Sequence, residues 1–160
     1  MKLYLDTERM YLRELTKDDV DLLVDLDADP EVTHYINGGQ SASKEYILEH
    51  VIPRILNYYK NLDQMGLWAA INKHDQQFMG WFNLRANRAD PSEIELGYRL
   101  KRKYWNQGYA TEGSKALIEK GFQSLKIPVI VATTVPQHGA SRRVMEKVGL
   151  CYEKEYIEED

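Results

Sequence analysis

The chain predicts an α/β fold of the α+β kind: one mixed, mostly antiparallel central sheet with helices on both faces. Three observations carry this. The runs Leu67 to Asn72, Phe78 to Leu84 and Ile94 to Leu100 show a period of two and follow one another across the short polar turns 73–77 and 85–92, so they are antiparallel neighbours. A helical stripe of small and apolar residues follows directly, with Tyr109, Ala110, Gly113, Ala116, Leu117 and Gly121 at spacings of three and four. Beyond it, Pro128 to Val135 is a β-branched run suited to a buried strand. Strands that switch to helices in this order build a layered sheet-and-helix domain.

The remaining elements follow in order. Residues 1 to 15 alternate as a strand, with Met10, Leu12 and Leu15 set against Arg9, Arg13 and Glu14. Thr16 offers an N-cap oxygen, and Asp18 and Asp19 suit the positive end of the helix that follows. Val20, Leu22, Leu23 and Leu26 form its apolar face, and Asp29-Pro30 stops it. Residues 32–40 read as a loop with a mobile Gly38-Gly39 turn, one candidate wall of a substrate cleft. Residues 41–61 are helical, with Tyr46, Ile47, Val51, Ile55, Leu56 and Tyr59 inward and a kink or break at Pro53. Gly80 and Gly97 mark bulges or close backbone approach within the meander. Ser141 to Val148 is a short helix ending at Gly149, and Leu150 to Ile157 a last strand.

Composition narrows the class of function without naming one. The 160 residues read as a single domain over 1–160, with 43% apolar and 29% charged residues. A formal charge of −4 argues against broad nucleic-acid binding, although Lys101–Lys103 with Arg142 and Arg143 could make a local basic patch. Cys151 is the lone cysteine, so no intrachain disulfide forms, which fits a reducing cytoplasm. No apolar run reaches membrane-spanning length and no signal-peptide core is expected. No metal site is predicted.

The most informative stretch is Tyr104 to Gly113, YWNQGYATEG. Gly108 stands where strand turns into helix, and a helix opening leaves backbone N–H groups pointing outward. Aligned peptide dipoles make that end a place for a phosphate. No basic residue lies between Tyr104 and Ser114, so an anion there is held by backbone, with Lys101, Arg102 and Lys103 as auxiliary charge. By itself such a turn also reads simply as a helix start.

Four blocks together resemble the GNAT superfamily of acyl-CoA N-acyltransferases, most closely its ribosomal-protein N-terminal acetyltransferase branch. They are TERMYLREL, DADPEVTHY, IELGYRLKRKYWNQGYATEG and PQHGASRRVMEKVGL, which span nearly the whole chain in the family's order. The resemblance implies acetyl-CoA as co-substrate, in a V-shaped gap between the fourth and fifth family strands. Its diphosphate would rest on the loop Asn106, Gln107, Gly108, Tyr109, Ala110 and Thr111, with Gly108 allowing close approach. Its pantetheine arm would pair with backbone at Tyr98 and Leu100, one of whose amides would serve as oxyanion donor. His138, Ser141 and Arg142 complete the implied cofactor contacts.

The implied reaction is direct acetyl transfer to an amine, with Cys151 excluded as acyl carrier for want of an activating neighbour. Glu95 is the implied general base, its rival role being a solvated strand charge. Ser141 is the implied proton donor to the leaving thiolate, and its alternative is to cap the helix carrying Arg142 and Arg143. The chain departs from the family pattern at several places. Trp105 replaces the usual first loop Arg or Gln, and Asn106 the usual Gly. His138 replaces an Asn and is read as a hydrogen-bond donor to the ligand rather than an acid. Met145 stands where a Tyr acid is common. The family's seventh strand has no counterpart, so that edge would be truncated, shortened or completed by another subunit.

The acceptor would lie between 33–40, the second helical region and the 85–92 turn, with Tyr35, Tyr58, Tyr59 and Trp68 as candidate lining and Glu31 and Asp90 as candidate attractors of a cation. A peptide or protein N-terminal amine follows from the branch; a polyamine, amino acid or aminoglycoside stays open, as does monomer or homodimer. A dinucleotide-binding oxidoreductase is rejected, because 121–144 contains no Asp or Glu for a ribose. The rival of another class is a non-catalytic acyl-CoA sensor or interaction domain.

Overall fold

In the computed structural model, which describes residues 2–62, 64–87, 90–134 and 138–151, the N-terminal alternation is a hairpin rather than one strand. β1 (Leu3–Asp6) and β2 (Met10–Glu14) pair antiparallel. Thr7 closes the turn between them: its amide donates to the Met10 carbonyl at 2.9 Å, and its hydroxyl accepts from the Met10 amide at 3.3 Å. A hydroxyl that bonds backbone a few residues on is what lets so short a segment reverse.

The Thr16 cap is present as a reciprocal box with Asp19, leading through a 3-10 turn into α1 (Val20–Asp27). The expected loop over 32–40 is instead a second helix, α2 (Pro30–Asn37). Asp29-Pro30 ends one helix and starts the next, because the Asp29 carboxylate caps the Glu31 amide and Pro30 needs no donor in the first turn. Gly38, at φ 77°, ends α2. The next helical region divides into α3 (Lys44–Tyr46), a π-helical turn at Ile47–Val51, and α4 (Ile52–Asn61), so the break expected near Pro53 takes the form of a widened turn. Its inner face carries Ile47, Ile52 and Ile55, while Tyr46 and Leu56 are exposed, contrary to their expected placement. The widened turn rotates the following residues out of a simple 3.6 period.

β3 (Gly66–Asn72), β4 (Phe78–Ala86) and β5 (Ile94–Leu100) form the antiparallel meander. β4 is bulged opposite the Ala70/Ile71 step, next to Gly80. α5 (Tyr109–Gln123) then crosses the sheet, β6 (Ile130–Val131) joins β5 in parallel, and α6 (Gly139–Lys147) follows. The sheet order is β1-β2-β3-β4-β5-β6. The expected strand over Pro128 to Val135 pairs only at two residues, and the last expected strand lies outside the described residues beyond Cys151.

The sheet separates two cores, as a period of two requires. Leu12, Trp68, Ala70, Phe82 and Leu84 face α5 through Leu117. Ala69, Ile71 and Phe78 face α1 and the segmented helix through Leu23, Leu26, Ile52 and Ile55. α5 lies close to the sheet because Gly113 presents no side chain: a Cβ there would stand 2.5 Å from Phe82 Cε1 and 2.9 Å from Met10 Cε.

Candidate active site

The site is a fork between two strands. β5 and β6 pair only through Ile94–Ile130 and Glu95–Val131, after which residues 132–134 leave the sheet. Among the described residues, no strand pairs with the far edge of β5 beyond that ladder. The Lys101 amide donates to the Met79 carbonyl at 2.8 Å, and the antiparallel alternation counted back from that bond turns the backbone groups of Leu96, Tyr98 and Leu100 toward the fork. Such an edge accepts an extended chain as an added strand. The Leu100 carbonyl already accepts the Trp105 indole N–H at 2.9 Å, so at this position the amide is the group left for a ligand. That bond is a consequence of Trp105 standing at the first loop position.

Beyond β5, a 3-10 turn at Arg102–Tyr104 leads into residues 105–108, and α5 starts at Tyr109. Asn106 and Gly108 take left-handed conformations, with φ of 59° and 84°. Gly108 is required first by that backbone. A Cβ would also meet Arg9 Nη2 at 3.3 Å, so its neighbour in this structure is a guanidinium. No side chain caps α5, and its first backbone bond runs from the Glu112 amide to the Gly108 carbonyl at 2.9 Å. The amides of Tyr109, Ala110 and Thr111 precede that bond and are the outward donors of the helix mouth. The Gln107 side chain folds back, its Nε2 donating to the Lys103 carbonyl at 2.6 Å. The Tyr109 ring is structural: it lies edge-on to Tyr104, and its hydroxyl accepts from Asn72 Nδ2 at 3.3 Å.

The auxiliary charge expected from Lys101 and Arg102 is directed elsewhere. Lys101 Nζ pairs with Asp25 at 2.8 Å and Arg102 Nε with Asp29 at 3.0 Å, so both cations fasten the loop to α1 and the start of α2. The cation at the helix mouth is Arg9, from the β1–β2 turn. Reasoning from the sequence missed it because about a hundred residues separate it from the loop, and its local pattern is that of an outward strand charge.

The flanks of the fork hold the expected acid and base. Glu95 is half-buried on β5, on the face shared with Gly97 and Arg99 that looks toward α1 and α2. Its backbone carbonyl accepts from the buried Asn83 Nδ2 at 3.2 Å, and the register sets Arg85 opposite it. Arg99 on the same face pairs with Asp27 at 2.8 Å. Ser141 is buried in the first turn of α6, three residues after His138 at the cap position. It does not cap the helix, which corrects that alternative. Its side chain lies within interaction range of the Tyr98 hydroxyl, and burial pushes the Tyr98 phenol up from its ordinary range. Tyr98 was expected to act through backbone alone.

His138 is half-buried, and its ring stacks on Tyr35 of α2 with centroids 4.5 Å apart and planes 14° apart. Desolvation holds the imidazole below its usual pKa, hence neutral at pH 7 and able to donate one hydrogen bond. Arg142 is exposed on α6. Tyr35 therefore reaches the fork from the acceptor side. Tyr59 and Trp68 do not: the Tyr59 hydroxyl bonds the Leu67 carbonyl and accepts from the Leu15 amide, and Trp68 is stacked on Tyr4 in the core. Asp90 is taken up in its own turn, accepting from the Ser92 amide and hydroxyl. Among the described residues no cluster of side chains could hold a metal ion, and no helix is long and apolar enough to cross a membrane.

Residues 9–150 match the model of a family described as acetyltransferase (GNAT) domain. A curated relative is the FsC-acetyl coenzyme A-N(2)-transacetylase of Aspergillus fumigatus, 27% identical in an alignment of 157 positions that covers 92% of this chain and 65% of that protein's length. Among solved structures, an acetyltransferase of the GNAT family from Bacillus anthracis is 27% identical with a TM-score of 0.73, covering 91% of this chain and 81% of that one. A ribosomal L7/L12 alpha-N-protein acetyltransferase in complex with coenzyme A shares the fold at a TM-score of 0.77 and 17% identity, over 92% of this chain and 83% of that one.

Proposed function

The chain belongs to the acetyltransferase (GNAT) domain family, and from that premise we propose that it moves an acetyl group from acetyl-CoA directly to a primary amine, the N-terminal amine of a peptide or protein. The observation that supports this most is the fork: a strand edge that no described strand covers beyond the Glu95–Val131 pair, beside the uncapped amides of α5. The edge fits an extended amide-bearing arm, and the helix mouth fits a diphosphate. Both features face the same gap, as one ligand with both parts needs. When bound, the thioester supplies an activated acyl carbon and a thiolate leaving group.

The residues then divide the work. Gln107, Tyr109, Ala110 and Thr111 offer backbone N–H groups to the diphosphate, with Asn106 and Gly108 shaping the turn. Tyr98 and Leu100 offer amides along the edge, and one of them faces the position where oxyanion charge develops. Glu95, on the acceptor face, takes the proton that an ammonium must lose before it attacks, through a water molecule. Ser141 gives its proton to the departing sulfur, with the Tyr98 hydroxyl beside it to make good the loss. His138 donates a hydrogen bond to the arm, and Tyr35 stacked on it forms part of the acceptor wall. Arg142 lies at the outer end of the site. The enzyme is read as a cytoplasmic single domain, in keeping with one cysteine.

The test is incubation with acetyl-CoA and a panel of amines (peptides of different N-termini, amino acids, polyamines, aminoglycosides) while free thiol is followed and products are weighed by mass spectrometry. Amine-dependent thiol release with an acetylated N-terminus is the expected result. Coenzyme A binding with no amine-dependent release would instead favour a sensor.

A further inference from the structure

The β1–β2 turn and the opening of α5 are joined by one carboxylate and one guanidinium, and neither has a part in the chemistry described above. Glu112, in the first turn of α5, accepts from three donors of the turn. Its Oε2 takes the Thr7 hydroxyl at 2.6 Å and the Arg9 amide at 3.0 Å, and its Oε1 takes Arg9 Nε at 2.7 Å. Arg9 Nη1 donates to the Gln107 carbonyl at 3.0 Å. The guanidinium covers the Tyr109 ring at 4.0 Å, and Nη2 fills the space where Gly108 has no Cβ. One side chain thus touches positions 107, 108, 109 and 112. The turn is itself steadied by Lys73, which donates to the Thr7 carbonyl and pairs with Asp6 at 2.6 Å.

Two physical consequences follow. Asn106 is left-handed without being glycine, a shape with a conformational cost that short loops keep only when their surroundings hold them. The charge-assisted bonds of Arg9 are the kind that hold. Glu112 also brings a negative charge to the very helix turn that would receive a diphosphate. Its carboxyl is burdened by burial, but the Thr7 and Arg9 bonds hold it below the usual carboxylate range, so it is ionised. Left alone, it would oppose an anion; paired with Arg9, it does not.

We propose that Arg9 is a positioning residue of the diphosphate loop, holding 107–109 in their receiving shape and masking Glu112. The inference rests on the acetyl-CoA reading. The test is calorimetric titration of the full chain with coenzyme A and, separately, with pantetheine, which lacks the diphosphate. Arg9→Ala is expected to weaken coenzyme A binding about ten- to hundredfold, the scale of lost charged hydrogen bonds, and to leave pantetheine within about twofold. Arg9→Lys keeps a charge without the planar fork and recovers only part. The double variant Arg9→Ala/Glu112→Gln binds coenzyme A several-fold better than Arg9→Ala, because the unmasked charge is gone. Arg9→Ala within about twofold of wild type would overturn the proposal, as would equal losses for both ligands or a double variant no better than the single. Should Arg9→Ala fail to fold, Thr7→Val must show a smaller loss of the same ligand-selective kind, and no loss overturns the proposal. Wild-type protein that binds no coenzyme A would sink the acetyl-CoA reading itself and not the lock alone.

Discussion

Gly113→Ala sets two opposing effects against each other at the point where α5 meets the sheet. In an ordinary helix interior the change removes unfolded-state freedom and stabilises by about 0.5–1 kcal/mol. Here the new methyl would stand 2.5 Å from Phe82 Cε1 and 2.9 Å from Met10 Cε, where real carbon contacts essentially never occur. Phe82 and Met10 are both fully buried, so neither ring nor methyl has open space to enter. Overpacking of this kind costs roughly 1–3 kcal/mol, so the clash wins and the net loss is about 1–2 kcal/mol. For a chain of this size that lowers Tm by roughly 3–6 °C. The relief available is for α5 to lift off the sheet, carrying its N-terminal amides with it, so coenzyme A affinity falls along with stability. Gly139→Ala is the control, since its Cβ meets only the flexible tip of Arg143 at 3.2 Å and should be neutral or mildly stabilising. Thermal and urea unfolding of both variants decides the matter. A Gly113→Ala protein as stable as wild type would refute the close-packing account of how the helix mouth is placed.

Glu95→Gln is expected to lower turnover, most steeply at low pH where free amine is scarce; a pH–rate profile parallel to wild type removes Glu95 from proton transfer. Gly108→Val forces a β-branched residue to φ 84° and against Arg9, so coenzyme A affinity should drop at least about tenfold by titration. Unchanged affinity would put the anion elsewhere. Asp19 accepts both Arg13 Nη1 at 2.9 Å and Nη2 at 3.0 Å, and the Thr16 amide at 2.8 Å. Asp19→Ala should therefore cost roughly 2–3 kcal/mol in urea unfolding. Burial opposes ionisation of Asp19, but the Arg13 and Thr16 bonds outweigh it and lower its pKa. A depressed carboxylate contributes stability that is full above the unfolded value, near about 3.9, and is lost as pH falls through the folded one. The Asp19→Ala deficit should shrink over that acid range, and a deficit constant with pH would contradict the sign.

Most of the fold could be read from pattern because its signals are local. The meander announced itself by a period of two and short turns, and Thr16 capped its helix as its type and position required. The errors fall where one local signal has two meanings. Asp29-Pro30 both stops and starts a helix, so the pattern over α2 also suits a loop. Thr7 reverses a chain inside what looks like one alternating strand. A π turn shifted the helical phase, so beyond it Leu56 points outward while Ile52 points in. The candidate site divides in the same way. The glycine turn at Gly108 stood out as a strand-to-helix junction, whereas Arg9, the Tyr98–Ser141 hydroxyl pair and the Tyr35–His138 stack join segments far apart in the chain.

By itself the amino-acid order settled the kind of sheet, the place of α5 and the family, since periodicity, caps and linear motifs are written in neighbouring residues. Which edge of β5 stays open was decided only in three dimensions, by β6 pairing for two residues and then leaving. So were the partners of Lys101 and Arg102, turned to Asp25 and Asp29, and the arrival of Arg9 at the helix mouth. The reason is the same for each. A charge or an unpaired amide takes its meaning from what lies within a few ångströms, and that neighbour is set by how the layers pack.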